Sequence, residues 1–227
     1  MARNTTLGVF DIIGPIMIGP SSSHTAGAAR MGFMARNIFG KQPMRVEFHL
    51  HGSFARTYKG HGTGLALVAG LLGMYPDDIR IEHAYEHAAE RGMDFRFFQT
   101  NLGGGVHPNT ALIKMFSENG KERSVQISSL GGGAIQVTKI DNFEVLILGN
   151  LNVIVASYKD KPGVVAKVTA KIAEYDLNIA FMNVAREEKG ADALMVVGLD
   201  KKMPEDACES LRSIKQVSEL LVIEKIL

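Results

Sequence analysis

The sequence predicts an α+β chain in two domains, residues 1–149 and 150–227. Three observations carry this. The last third alternates β-rich and helical segments in the order βαββαβ, separated by turn chemistry. The first two thirds mix helical patterns rich in small residues with short alternating strands, broken at Gly103-Gly104-Gly105 and Gly131-Gly132-Gly133. Hydrophobic residues make up 46% of the 227, enough apolar material for packed cores and too much for a disordered chain.

The second domain parses segment by segment. Leu151 to Tyr158 is β-rich, and Asp160-Lys161-Pro162-Gly163 is turn chemistry. Val164 to Tyr175 sets Val165, Val168, Ile172 and Ala173 on one helical stripe. Leu177 to Glu187 and Ala191 to Leu199 read as strands joined at Glu188-Lys189-Gly190. Pro204 sits where a helix carrying Cys208 and Leu211 would begin, and Val217 to Ile226 closes as a strand. This order is the ferredoxin-like arrangement.

The first domain is less regular. A helix is expected from near Ser23 to Phe39, ended by Gly40, and a small-residue helix over Gly60 to Leu72. Met44 to His51, Ile79 to His83, Phe95 to Thr100, Ser124 to Ser128, Ile135 to Ile140 and Glu144 to Leu148 are expected strands in a largely antiparallel sheet.

Composition excludes several function classes. A formal charge of +1 with no concentrated basic run argues against nucleic acid and anionic membranes as partners. Aromatics are few and Trp is absent, so no base-stacking surface is indicated. The apolar runs Leu65 to Tyr75 and Phe143 to Tyr158 are short of a membrane span, and Leu7 to Phe10 is too short and too soon interrupted for a signal peptide. A single cysteine, Cys208, permits no intrachain disulfide and suits a reducing cytoplasm. It also cannot by itself hold an iron–sulfur cluster, which needs several thiolates.

Gly19-Pro20-Ser21-Ser22-Ser23-His24-Thr25-Ala26-Gly27 concentrates hydroxyls and an imidazole at a helix start. One serine suffices to cap that helix. The surplus hydroxyls, the free N–H groups and the positive dipole end suit a carboxylate, and the same field is expected to keep His24 neutral, as a general base requires. Capping and a functional site stand as equal alternatives on this evidence. The run His51-Gly52-Ser53 to Lys59-Gly60-His61-Gly62-Thr63-Gly64 fits neither a Walker loop nor G-x-G-x-x-G, and a tight turn with a solvent histidine is the better reading of these residues alone. His49 and His51 share a strand face, but a pair is not a metal site. His107-Pro108-Asn109-Thr110 and Ser129-Leu130-Gly131-Gly132-Gly133 read either as plain loops or as backbone N–H groups turned to an anion. His83-Ala84-Tyr85-Glu86-His87 matches H-x-x-E-H of a zinc peptidase class, against a simpler charged surface helix.

The pattern DKPGVV with LNIAFMNV resembles an ACT domain over nearly all of residues 150–227. That resemblance implies an effector site at Asp160, Gly163, Val164, Asn178 and Ile179, and homodimerisation through this domain. GPSSSHTAG, HGSFARTYKGHGTG, HPNTA and SSLGGGAI, in this order over residues 8–140, resemble the β part of iron–sulfur-dependent L-serine dehydratases. Gly64 stands where such enzymes often carry an aspartate.

The resemblance implies a 4Fe-4S cluster ligated by a separate α subunit, with no metal held by this chain. It implies elimination of water from L-serine, with a cluster iron as Lewis acid and a base removing the Cα proton. His24 is the expected base. Ser21, Ser22, Ser23 and Thr25 are expected to hold the carboxylate, with His61, Thr63, His107, Asn109, Gly131 and Gly132 lining the site. The alternatives are a regulatory serine-binding module without chemistry, and zinc hydrolysis through His83 and His87.

Overall fold

The structure is a computed structural model describing residues 15–226. The expectation for Leu7 to Phe10 lies outside the described residues. Contacts divide the chain into two compact units at Gln136/Val137.

In the first unit, helix α1 (Gly27–Phe39) is followed by β1 (Arg45–Leu50), α2 (Gly52–Thr57), α3 (Thr63–Leu71), α4 (Ala84–Glu90), β2 (Asp94–Gln99), β3 (Thr110–Phe116) and β4 (Glu122–Gly131). The strand order is β2-β1-β3-β4. β1 and β2 are parallel, and the other pairs are antiparallel. Alternation along β1 turns Val46, Phe48 and Leu50 into the core, where Ile113 and Met115 of β3 and Val125 and Ile127 of β4 join them. The apolar stripes of α1 (Met31, Met34, Ile38) and α3 (Leu67, Leu71) are fully buried with them.

The two helices touch through glycine. A side-chain carbon on Gly70 would strike the Ala29 carbonyl oxygen and the Phe33 backbone nitrogen, and one on Gly32 would strike the Leu67 carbonyl oxygen. Their backbones therefore meet directly, and Arg36 adds a hydrogen bond from Nη1 to the Leu71 carbonyl at 2.8 Å.

Strands β5 (Ala134–Ile140) and β6 (Phe143–Ile147) form an antiparallel hairpin, and the division between the units falls inside β5. β6 lies beside β8 (Ile179–Arg186), and the Asn142 amide donates to Glu187 at 3.2 Å, which assigns the hairpin's distal part to the second unit. That unit continues as β7 (Asn152–Lys159), α5 (Val164–Glu174), β8, β9 (Asp192–Leu199), α6 (Glu205–Arg212) and β10 (Val217–Ile223). Its four-stranded sheet has the order β10-β7-β9-β8, all antiparallel. The βαββαβ expectation holds. Val168, Ile172, Cys208 and Leu211 pack on Ile154, Met195 and Val197.

Four details differ from the sequence expectations. Ile79–His83 is a 3₁₀ turn and not a strand: Asp78 caps it through its side chain, and Ile81 is the residue it buries. β3, central to its sheet, was not anticipated. α2 also was not, because six residues are too few for a periodic signal. The buried stripe of α5 is Val164, Val168 and Ile172, while Ala173 is exposed.

Gly70→Val should cost about 3 kcal/mol in unfolding free energy, because it overpacks backbone that cannot yield. Denaturant unfolding of the first unit checks this. Gly163→Ala, whose side chain would meet open space at a left-handed φ of 84°, should cost only about 1 kcal/mol.

Candidate active site

β1, β3 and β4 end together. The antiparallel register pairs Leu50 with Ala111 and Thr110 with Ser128. The segment after β1, the segment before β3 and the end of β4 therefore converge on one edge of the sheet. His51 donates its backbone N–H to the Thr110 carbonyl at 2.9 Å, Ser53 to Pro108 at 2.8 Å and Ser129 to Asn109 at 2.9 Å.

The serine-rich segment joins this edge. Ser21 is extended, and its hydroxyl oxygen accepts from the His24 backbone N–H at 3.1 Å, so Ser21 is the cap. Ser22–Ala26 then winds as a π-helical turn before α1 begins. Such turns are rare and concentrate at functional sites. Tertiary ties fix it. The Thr25 hydroxyl, 2% exposed as a residue, donates to the His61 carbonyl at 3.2 Å, and the Ser129 hydroxyl donates to the Ser23 carbonyl at 2.9 Å. Gly27 leaves no room for a side chain against Ser129. Thr25 donates its hydroxyl internally, Ser21 accepts at its oxygen and keeps its O–H to donate, and the hydroxyls of Ser22 and Ser23 have no partner among the described residues.

His24 is half-buried at the centre. Its Nε2 lies 3.2 Å from Ser53 Oγ, and its ring is 5.1 Å from the His61 ring and 5.2 Å from Phe54. Burial holds the His24 imidazole below the ordinary histidine range, and the nearby His61 charge adds to this. Both causes act in the direction of the neutral form. His61 itself is exposed.

The remaining expected residues divide. His107 receives the Asn109 backbone N–H at 3.2 Å, in the loop that also holds Ser53 through Pro108. Gly131, Gly132 and Gly133 all have positive φ, at 101°, 59° and 81°, conformations that a side chain would strain. A side-chain carbon on Gly131 would lie 3.7 Å from Ser23 Oγ, and the Gly133 carbonyl accepts from Arg30 at 2.8 Å. The other triplet, Gly103-Gly104-Gly105, faces open space. Thr63 is fully buried at the start of α3, and its hydroxyl has no partner among the described residues. Gly64 is pressed against Tyr85 and Phe97, so any side chain there meets aromatic rings. Ser53 and Ser129 were missing from the expected site, although both stand inside quoted motifs.

Among the described residues, no group of three or more His, Cys, Asp or Glu side chains is placed to hold a metal ion. His83 pairs with Glu86 at 3.3 Å and His87 with Glu90 at 3.0 Å, each along its own helical turn. His49 stacks on Phe98 and contacts Thr100, while His51 accepts from the Leu102 N–H, so these two do not converge. Cys208 is buried in the second unit's core, and burial raises its thiol pKa, so it stays protonated. No helix among the described residues is long and apolar enough to cross a membrane.

In the second unit, Asp160 and Gly163 line a cleft of about 590 Å³ with Tyr158, Val165, Val184 and Arg186. The Gly190 N–H at 3.2 Å and the Arg186 guanidinium at 2.8 Å hold the Asp160 carboxyl below its usual range. Val164 is buried at the start of α5, Asn178 donates to Asp200 at 2.6 Å, and Ile179 packs on the core. The structure thus brings Asp160 and Gly163 together and leaves Asn178 and Ile179 outside that cleft's lining.

Comparison with known proteins agrees with both units. The serine dehydratase beta chain family matches residues 8–96, and the ACT domain family matches residues 152–216. The chain is 42% identical over 215 residues to the probable L-serine dehydratase beta chain of Bacillus subtilis, covering 95% of this chain and 97% of that protein. It is 37% identical over 220 residues to the L-serine dehydratase beta chain of Peptoniphilus asaccharolyticus, covering 97% and 99%. A shorter match, 43% over 82 residues, covers 34% of this chain and 18% of L-serine dehydratase 2 of Escherichia coli. With relatives of this identity aligned along nearly its whole length, the chain belongs to the serine dehydratase beta chain family.

Proposed function

We propose that this chain is the β subunit of an L-serine dehydratase, and that it brings catalytic side chains to an active site completed by an α subunit. The overall reaction converts L-serine to pyruvate and ammonia. The observation that carries the proposal is the imidazole pair. His24 is anchored and its pKa is lowered by burial, and the exposed His61 stands 5.1 Å from it at an edge where three loops meet.

The pair is the base that removes the Cα proton, with His24 as its anchored member. The Ser22 and Ser23 hydroxyls, with the free N–H groups at the start of the π turn, hold the substrate carboxylate. His107 and Asn109 flank the same edge, and Gly131 and Gly132 close it beside Ser23. Loss of the Cα proton and of hydroxide from Cβ leaves an enamine. It tautomerises to an imine, and water converts the imine to pyruvate and ammonia.

The 4Fe-4S cluster that this family resemblance implies would supply a Lewis acid for the departing hydroxyl. The residues of this chain do not fit it. Cys208 is its sole cysteine and lies in the core of the ACT domain. We assign the cluster to the α subunit and derive no step from it here. The ACT domain, residues 150–227 beside a first domain of 1–149, is proposed to pair with a second copy and to take an amino acid at the Asp160–Gly163 cleft. The assembly is placed in the cytoplasm, where its thiolates stay reduced.

His24→Gln and His61→Gln, each in an anaerobically assembled complex, should lower kcat at least about 100-fold with assembly intact. Near-normal pyruvate production by both variants would favour the regulatory reading. The acidic limb of the wild-type pH–rate profile should lie below the ordinary histidine pKa of about 6.5, because activity is lost only as pH falls through the depressed His24 value. In any His61 variant with residual turnover, that limb should move upward, since a charge opposing protonation is gone. Cys208→Ala should leave the iron content and turnover of the complex unchanged, as iron analysis and pyruvate assays would report.

A further inference from the structure

Among the described residues, one side chain hydrogen-bonds the His24 ring. Ser53 Oγ lies 3.2 Å from Nε2, and Nδ1 has no partner there. Ser53 is itself held from both sides. Its N–H donates to the Pro108 carbonyl at 2.8 Å, and its carbonyl accepts from the Thr57 hydroxyl at 2.8 Å. The preceding Gly52 lies so close to the Pro108 backbone that a side chain would not fit. The hydroxyl therefore stands on the first turn of α2, which is fixed to the Pro108 loop, and His24 Nε2 is its one described partner. Of the rings around His24, Phe54 carries no charge and His61 is the titratable one.

We propose that Ser53 is the positioning residue of His24: its oxygen accepts a hydrogen bond from Nε2–H, so the neutral ring offers the Nδ1 lone pair to the reaction. A neutral imidazole has one donor nitrogen and one acceptor nitrogen, and whichever is bonded first fixes the role of the other. In the elimination, the Cα–H bond breaks and an Nδ1–H bond forms. The electron pair left on Cα becomes the Cα–Cβ double bond as hydroxide leaves Cβ. The resulting imidazolium keeps its Nε2–H on Ser53, a bond that favours the charged form. This inference rests on the reading of His24 as part of the base.

The test is read first on the full chain without its partner. A long-range ¹⁵N–¹H spectrum of histidine-labelled protein should show His24 as the Nε2–H tautomer. Ser53→Ala should mix the tautomers and, in the assembled complex, lower kcat on the order of tenfold with KM nearly unchanged. Ser53→Thr keeps a hydroxyl and should restore both readouts. A wild-type Nδ1–H tautomer overturns the proposal. So does a Ser53→Ala chain that keeps both tautomer and kcat, or a folded Ser53→Thr chain without the bias. If the tautomer responds as described while His24→Gln retains turnover, the positioning stands and the catalytic reading of His24 falls.

Discussion

The contact between Gly32 of α1 and Gly70 of α3 is the constraint on which the site depends. Two helices whose backbones touch cannot slide or rotate independently without steric collision, and each glycine here is closed off by main-chain atoms of the other helix. The segment bearing His24 runs into α1, and the segment bearing His61 runs into α3. Fixing the helices at their glycines fixes the two imidazoles 5.1 Å apart at their starts. The Thr25 to His61 hydrogen bond completes this lock from the other end.

Around that pair, the sheet supplies what the helices cannot. An antiparallel register places the end of β1, the start of β3 and the end of β4 at one edge, so that Leu50 faces Ala111 and Thr110 faces Ser128. Hydroxyls that might have formed one continuous cradle are divided by use. Ser21 and Thr25 shape the turn, and the hydroxyls of Ser22 and Ser23 have no partner among the described residues. The same economy applies to Gly64, where an aspartate would meet Tyr85 and Phe97. At that position this chain is built around aromatic packing.

The ACT domain shows how a short loop can look like a site and be partly structural. Asp160 is tied to Arg186 and to the Gly190 N–H, which closes the turn after β7 onto the β8–β9 hairpin. A ligand entering the adjacent cleft would meet a carboxylate already engaged with a guanidinium, so it would have to extend that pairing or displace it. Asn178, one residue before β8, is turned toward Asp200.

The sequence by itself determined much of this protein. The βαββαβ order of the second domain, the α1 helix with its stop at Gly40, most first-domain strands and the surplus chemistry at Ser21 to Thr25 are local or periodic signals, and local signals survive without a fold. Its single cysteine is also too few to hold an iron–sulfur cluster, which is legible before any geometry is known. Tertiary structure alone decided which hydroxyls are spent, that Ser53 meets His24, that Ser129 holds Ser23, and that the start of the first helix is a π turn. The Ser53, Thr25 and Ser129 contacts each join residues 29 or more positions apart, beyond the reach of a local signal. The unanticipated β3 is the clearest instance. Without it nothing links HPN to HGS, and a one-residue slip of its pairing would turn its inward residues outward and dissolve the edge where the site is built.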